Sequence, residues 1–166
     1  STLMRSSAAS DVYKRQMKHH PLLRALRVDK MTLAALEGTL RLYEQNRAEQ
    51  DIPVVHMLAQ TEEDCRKKSE ALQRAIEWEH LAVTTRLMGC DDVVGGGSYP
   101  TETLPGWAVA LAPLNSSVTE LEEALRLGDM PVIARVHRNW VLLSMRTVLE
   151  DEIPLLCQAI GDAIRG

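Results

Sequence analysis

Residues 117–145 read SVTELEEALRLGDMPVIARVHRNWVLLSM, and this stretch predicts one helix followed by two strands. Ser117 and Glu120 have the spacing of a capping box, in which the serine side chain and the glutamate side chain each satisfy a free backbone N–H group. Leucines at helical spacing follow the box, and Gly128 supplies the stop. We therefore expect a short amphipathic helix that ends at this glycine.

Two apolar runs after the helix indicate a β-hairpin. The runs are Val132–His137 and Trp140–Met145, and only Arg138 and Asn139 separate them. A connection of two residues is typical of tight hairpins, and asparagine tolerates the positive φ that such turns require. A helix next to an antiparallel hairpin predicts an α+β layer.

The flanking segments extend this architecture. Downstream, Ile153–Ile164 has the apolar periodicity of a terminal helix. Upstream, a second capping box at Thr61 opens a helix through about Trp78. Leu81–Leu87 and Trp107–Leu111 indicate strands. The predicted fold class is α+β (α/β), in which residues 51–166 form a small domain of mostly antiparallel sheet packed with helices.

The N-terminal part predicts a long helix that leads into this domain. Apolar residues recur at spacings of three and four from Leu22 to Tyr43, with an expected break near Val28-Asp29, where Asp29 caps a second segment. The polar stretch 44–51 marks the domain boundary. Ile52–Leu58 is interpreted as an apolar connector.

Residues 1–16 show no helical or strand periodicity. The run DVYKRQ, residues 11–16, resembles the translation of a transposon end. We therefore expect residues 1–16 to be a non-native leader, an assembly artefact, and we expect the native reading frame to continue upstream of Met17. Residues 17–50 then form the helix before the small domain.

Composition excludes several functional classes. The chain has 166 residues, of which 45% are apolar, and its formal net charge is −4. No global basic field is available to hold a polynucleotide, so a nucleic-acid partner would need a local patch or another domain. Three Trp, three Tyr and no Phe make aromatic stacking platforms improbable. No apolar run approaches the roughly 20 residues that span a bilayer, so we expect a cytoplasmic protein.

Cysteine and histidine spacing does not predict a metal site. Cys65, Cys90 and Cys157 form no CxxC pair, as expected of free thiols in a reducing compartment. The adjacent pair His19-His20 and the isolated remaining histidines lie at no ligand spacing from a cysteine. We expect no metal.

Arg24 and Arg27 form the first candidate site. Residues three apart lie on one face of a helix, and Lys30 follows a further turn along. Two neighbouring guanidinium groups repel each other unless an anion lies between them, and their planar forks suit phosphate or carboxylate. The alternative is a solvated basic face that pairs with Asp29 or other nearby acids.

The run Gly95, Gly96, Gly97 and Ser98 forms the second candidate site. It matches neither the P-loop nor the dinucleotide-binding pattern, because no Lys-Ser, Lys-Thr or GxGxxG frame is present. Three glycines permit positive φ and close backbone approach. The run is therefore either a structural turn or a loop that faces the active site.

The string HPLLRALRVDKMTLAALE, residues 20–37, resembles the bacterial L-seryl-tRNA(Sec) selenium transferases, or selenocysteine synthases. Further similar strings follow in the same order along residues 17–166. They are Val94–Ser98 with Pro100, Leu104-Pro105 before Trp107-Ala108, Pro131–Ile133 with Arg135, and Leu142-Leu143 with Arg146–Val148.

The resemblance implies a C-terminal fragment of an aminotransferase-like fold type I enzyme that uses pyridoxal phosphate (PLP). Such an enzyme eliminates water from the seryl group of seryl-tRNA(Sec) and adds selenium from selenophosphate, with PLP as electron sink. The family's Schiff-base lysine lies upstream of the matched string, and neither Lys18 nor Lys30 matches it. The resemblance therefore implies a PLP-binding large domain outside this chain, no catalytic residue within it, and an inactive fragment.

The resemblance also assigns partners. The family's arginines that hold the anionic selenium donor map onto Arg24 and Arg27, and the full-length enzyme is expected to be a homo-oligomer without membrane or metal partners. Two other functions stay open. One is a related PLP-dependent lyase that acts on a small phosphorylated amino compound, and the other is a non-catalytic interaction module.

Overall fold

A computed structural model of the chain describes residues 13–18, 20–94 and 103–166. The chain divides into two compact units between Ile52 and Pro53. The candidate run Gly95–Ser98 lies outside the described residues.

The first unit contains one longer helix, with short helices before and after it in the sequence. The break predicted near Val28-Asp29 is confirmed, because Asp29 caps a separate helix by accepting a 2.9 Å hydrogen bond from the N–H of Thr32. The single helix expected over 17–50 is therefore several helices, and residues 13–18 of the chain are helical as well. The helices are α1 (residues 13–18), α2 (Leu22–Ala25), α3 (Lys30–Glu44) and α4 (Ala48–Asp51).

The apolar stripe of α3 is exposed in this chain. No residue of α3 is buried, and Leu33, Leu36, Leu40 and Tyr43 are each more than half exposed. The helix is supported locally by the Asp29 cap and by intrahelical pairs such as the 2.6 Å contact between Arg41 and Glu37. Such pairs are individually weak, at about 0.3–0.5 kcal/mol.

The second unit is the predicted α+β layer. Its described strands form one antiparallel sheet in the order β1-β2-β4-β3. A 3₁₀ turn at Glu150–Glu152 precedes the last helix. The other elements are α5 (Pro53–Ala59), α6 (Glu62–Trp78), β1 (Val83–Val93), β2 (Thr103–Pro113), α7 (Val118–Leu127), β3 (Arg135–His137), β4 (Trp140–Ser144) and α8 (Ile153–Arg165).

Helices α6, α7 and α8 cover one face of the sheet and form the core with it. The core is aliphatic: its described members include no aromatic residue, and the chain contains no Phe. Burying each of these side chains contributes about 1.5–3 kcal/mol relative to exposure. The largest fully buried members are Leu72, Ile76, Leu111, Leu121, Leu125, Met145 and Ile160.

Both capping boxes are confirmed. Thr61 and Asp64 exchange side-chain and backbone hydrogen bonds at the start of α6, and Ser117 and Glu120 do so at the start of α7. Gly128 ends α7 as predicted, with extended backbone angles. These ends were predictable because every partner lies within three residues of the cap.

The hairpin turn is also confirmed, but its first strand is shorter than predicted. Arg138 and Asn139 both adopt positive φ, 47° and 65°, as a tight two-residue turn requires. Pairing begins only at Arg135, because the N–H of Val132 donates instead to the carbonyl of Leu125 at 2.8 Å. Residues 132–134 therefore lie outside the sheet.

Two other segments differ from the sequence prediction. The interpretation of Ile52–Leu58 as a connector is wrong, because α5 occupies most of it. The first two strands are longer than predicted, because they pair without interruption from Val83 opposite Pro113 to Val93 opposite Thr103. None of the helices in the described residues is long and apolar enough to cross a membrane.

Candidate functional site

Arg24 and Arg27 lie in different local structures. Arg24 is in α2, whereas Arg27 lies in the non-helical segment between α2 and Asp29, and both are exposed. The prediction that they share one face of a continuous helix is wrong, because the helix ends at Ala25 and Asp29 starts a new one.

The ion-pair alternative for these two arginines is not observed. Within the described part of the chain, neither guanidinium makes an ion pair. The carboxylate of Asp29 is occupied by Thr32, which donates its N–H and its hydroxyl at 2.9 Å each. Both guanidinium groups are therefore available to an anion from outside the first unit.

A buried polar cluster lies at the edge of the sheet where β1 ends and β2 begins. Arg146, 6% exposed, follows β4 and donates through Nε to Oδ2 of Asp92 at 3.2 Å. Its Nη1 donates to the carbonyls of Met57 (3.2 Å) and Gln60 (2.8 Å), and its Nη2 donates to that of Pro105 (2.7 Å). One guanidinium thus ties three strands to the connection between α5 and α6.

Asp92 is the acceptor at the centre of this cluster. Its Oδ1 accepts a 2.8 Å hydrogen bond from the hydroxyl of Ser144 and lies 3.7 Å from Nη2 of Arg135. The Asp92 side chain is 12% exposed, whereas that of Arg135 is 53% exposed. Two guanidinium groups therefore share one carboxylate, and the cluster carries one net positive charge on its exposed side.

Gly106 leaves room for this carboxylate. A Cβ atom at Gly106 would lie 2.5 Å from Oδ2 of Asp92, a distance that no side chain can occupy without moving the carboxylate. The position therefore requires glycine because of close approach, with no demand on backbone angles.

The Cys90 thiol lies beside the same carboxylate. Burial, and after it the nearby negative charge of Asp92, raise the pKa of Cys90 to about 11. The thiol is therefore protonated at neutral pH and is a poor nucleophile, since the thiolate is the reactive form. Cys90 is part of the packing of this cluster rather than a catalytic group.

Lys68 is a second buried cation that sequence reasoning did not single out. It is 4% exposed, and its Nζ donates to Oε1 of Gln60 at 2.6 Å and to the carbonyl of Val148 at 2.5 Å. Burial lowers its pKa. Both hydrogen bonds hold protein segments together, so we assign Lys68 a structural role.

The described residues contain no group of three or more His, Cys, Asp or Glu side chains that could hold a metal ion. Cys65, Cys90 and Cys157 are all free. Among the described residues of the second unit, the buried cations are Arg146 and Lys68. Neither was predicted, because their partners come from distant parts of the chain.

Comparison with known proteins gives one consistent family. Residues 10–149 match the family model described as L-seryl-tRNA selenium transferase. The match starts at residue 10 and so includes the end of the segment expected to be a leader. The leader assignment stays a prediction.

Curated relatives carry the same description. Proteins called L-seryl-tRNA(Sec) selenium transferase are 40% identical over 153 residues in Geobacter sulfurreducens and 42% identical over 153 residues in Moorella thermoacetica. A relative from Alkaliphilus oremlandii is 37% identical over 155 residues. These alignments cover 90–93% of this chain but only 32–33% of each relative, so the chain spans about a third of their length.

Proposed function

We propose, because this chain belongs to the L-seryl-tRNA selenium transferase family, that the full-length protein converts seryl-tRNA(Sec) to selenocysteinyl-tRNA(Sec) with selenophosphate. The observation that carries the proposal is the family match over residues 10–149, supported by relatives about 40% identical over nearly the whole chain. The chain supplies only part of the enzyme, so the complete activity is proposed for the full-length protein.

The residues of this chain do not fit a PLP site by themselves. All five of its lysines are described, and Lys14, Lys18, Lys30 and Lys67 are exposed. Lys68 is buried, but its amine is used by Gln60 and Val148. No described lysine therefore offers a free amine in an enclosed site, and we propose that PLP binds the part of the full-length protein outside this chain.

The role proposed for this chain at the reaction centre is to hold the selenium donor. Selenophosphate is a multiply charged anion, and fixed cationic donors stabilise such a group. Arg24 and Arg27 are exposed cations without an ion pair in the described part of the chain, and they lie in the string that resembles the family most specifically. The break between α2 and α3 places Arg27 on a non-helical segment, where its side chain can turn towards a ligand.

The proposal also covers the cellular location, the role of residues 17–50 and the oligomeric state. The substrate is a tRNA, so the reaction takes place in the cytoplasm. We further propose that residues 17–50 connect the PLP-binding part of the full-length protein to the second unit, and that the enzyme is a homo-oligomer.

Replacing either arginine should change the use of the selenium donor. A charge-assisted hydrogen bond contributes about 1.5–3 kcal/mol, so Arg24→Ala or Arg27→Ala in the full-length protein should weaken donor use by about 10- to 100-fold. Arg→Lys should restore only part of the loss, because an ammonium cannot present the bidentate fork. The measurement is the selenophosphate dependence of selenocysteinyl-tRNA formation.

Arg41→Ala is the matched control for this experiment. Arg41 is an exposed arginine on α3 that already pairs with Glu37, so its loss should leave donor dependence unchanged. If Arg24→Ala and Arg27→Ala also left donor dependence unchanged, or lowered only the affinity for tRNA, neither arginine would hold the donor.

A further inference from the structure

The sheet of the second unit has a face that the core helices do not use. Side chains alternate along each strand, and those of Val109, Leu111, Val141 and Leu143 enter the core. The intervening residues belong to the opposite face, which we call the arginine face. It carries Arg86, Met88, Cys90 and Asp92 on β1, Gly106, Ala108 and Ala110 on β2, Arg135 and His137 on β3, and Trp140, Leu142 and Ser144 on β4.

Two arginines lie on the outer strands of this face. Arg86 is opposite Ala110, Ala110 is opposite Leu142, and Leu142 is opposite Arg135, so the four residues form one row across the sheet. Ala110 and Leu142 are buried, whereas both arginines are exposed. Arg138, in the turn between β3 and β4, adds a third exposed arginine beside the exposed His137.

Charge is distributed unevenly between the two sides of this unit. On the arginine face the one described carboxylate is that of Asp92, which Arg146 at 3.2 Å and Arg135 at 3.7 Å share. The elements of the helical side, α6, α7, the 3₁₀ turn and α8, instead carry twelve acidic residues against six basic ones, with acidic clusters at Glu62–Asp64 and Glu150–Glu152. A polyanion is therefore attracted to the arginine face and repelled by the helices, although the chain as a whole has a net charge of −4.

The spacing of the arginines excludes one small anion as the shared ligand. The guanidinium of Arg135 is held beside Asp92, and the backbone of Asp92 lies six residues along β1 from that of Arg86, a backbone separation of roughly 20 Å at about 3.3 Å per residue. A selenophosphate ion cannot bridge groups so far apart. The separate phosphates of a nucleic-acid strand can.

We infer that the arginine face binds the phosphate backbone of the tRNA substrate through Arg86, Arg135 and Arg138. This inference rests on the proposed function, which supplies a tRNA as the polyanion. The face carries one Trp, half-buried, so its contacts are to phosphates rather than stacked bases, and they do not depend on nucleotide sequence.

The test compares tRNA(Sec) binding by the full-length protein with binding by its Arg86→Ala, Arg135→Ala and Arg138→Ala variants. Each variant should weaken affinity by roughly 5- to 10-fold and should reduce the slope of log affinity against log salt concentration by about 0.7–0.9. Arg74→Ala is the matched control, because Arg74 is an exposed arginine on the helical side. Its affinity and salt slope should match those of the unmodified protein.

Thermal unfolding of each variant distinguishes a loss of tRNA contacts from a loss of folded structure. Arg86 and Arg138 have no described ion pair whose removal would disturb the fold. A variant that combines Arg86→Ala, Arg135→Ala and Arg138→Ala gives the decisive result. Unchanged tRNA affinity and salt slope in this triple variant would overturn the inference, as would a loss confined to selenophosphate dependence. Failure of the proposed function would appear differently, as a wild-type protein that forms no selenocysteinyl-tRNA.

Discussion

Arg146→Ala is expected to lower the free energy of unfolding of this chain by about 3–5 kcal/mol, because removal of one partner leaves the other charge of a buried pair uncompensated. Asp92 would lose its closest cation, and the carbonyls of Met57, Gln60 and Pro105 would lose their donor. Urea unfolding followed by tryptophan fluorescence measures the change, since Trp78, Trp107 and Trp140 all lie in the second unit.

Arg135→Ala is the contrast for this measurement. Arg135 faces the same carboxylate at 3.7 Å but is 53% exposed, so its loss should cost only about 0–1 kcal/mol. Arg146→Lys should fall between the two, because a lysine keeps the charge but cannot reach all four acceptors. A loss below about 1 kcal/mol for Arg146→Ala would mean that the cluster does not hold the strands together as described.

Gly106→Ala is expected to lower the free energy of unfolding by about 2–4 kcal/mol. This cost lies between that of an ordinary overpacked core and that of losing the buried ion pair of Arg146 and Asp92. The new methyl group would lie 2.5 Å from Oδ2 of Asp92 and 3.7 Å from Nη2 of Arg146. The carboxylate is held by Arg146 and Ser144, so it can move away only by breaking those contacts.

Gly89→Ala is the matched control on the neighbouring strand. A Cβ atom at Gly89 meets nothing within 4 Å, so this substitution should be neutral or slightly stabilising. The cause of the Gly106 effect can be tested with Asp92→Ala, since Gly106→Ala should cost much less in that background. Equal costs with and without the Asp92 carboxylate would show that the clash is not the cause.

The parts of this fold that could be predicted from sequence are those whose partners are close in the chain. Asp29, Thr61 and Ser117 were identified as caps because each satisfies a backbone N–H three residues ahead. The turn at Arg138-Asn139 was predicted from its length and from the tolerance of asparagine for positive φ.

The Arg146 cluster could not be found in this way. Its guanidinium bonds to groups that are 41 to 89 residues away in sequence, so no local spacing signals it. The available signals were an arginine directly after a buried strand and an aspartate shortly before a glycine run. The interpretation of Arg24 and Arg27 as one helical face failed because the break was expected only at Val28-Asp29, whereas α2 already ends at Ala25, before Arg27.

The most direct test of the account as a whole is the identity of the amino acid on the tRNA after reaction. The full-length protein that contains this chain, loaded with PLP, is incubated with seryl-tRNA(Sec) and selenophosphate, and the amino acid released from the tRNA is identified by mass spectrometry. Family membership and the donor role of Arg24 and Arg27 predict selenocysteine in an amount that depends on selenophosphate. Recovery of serine alone at every selenophosphate concentration, from a folded and PLP-loaded protein, would contradict the account.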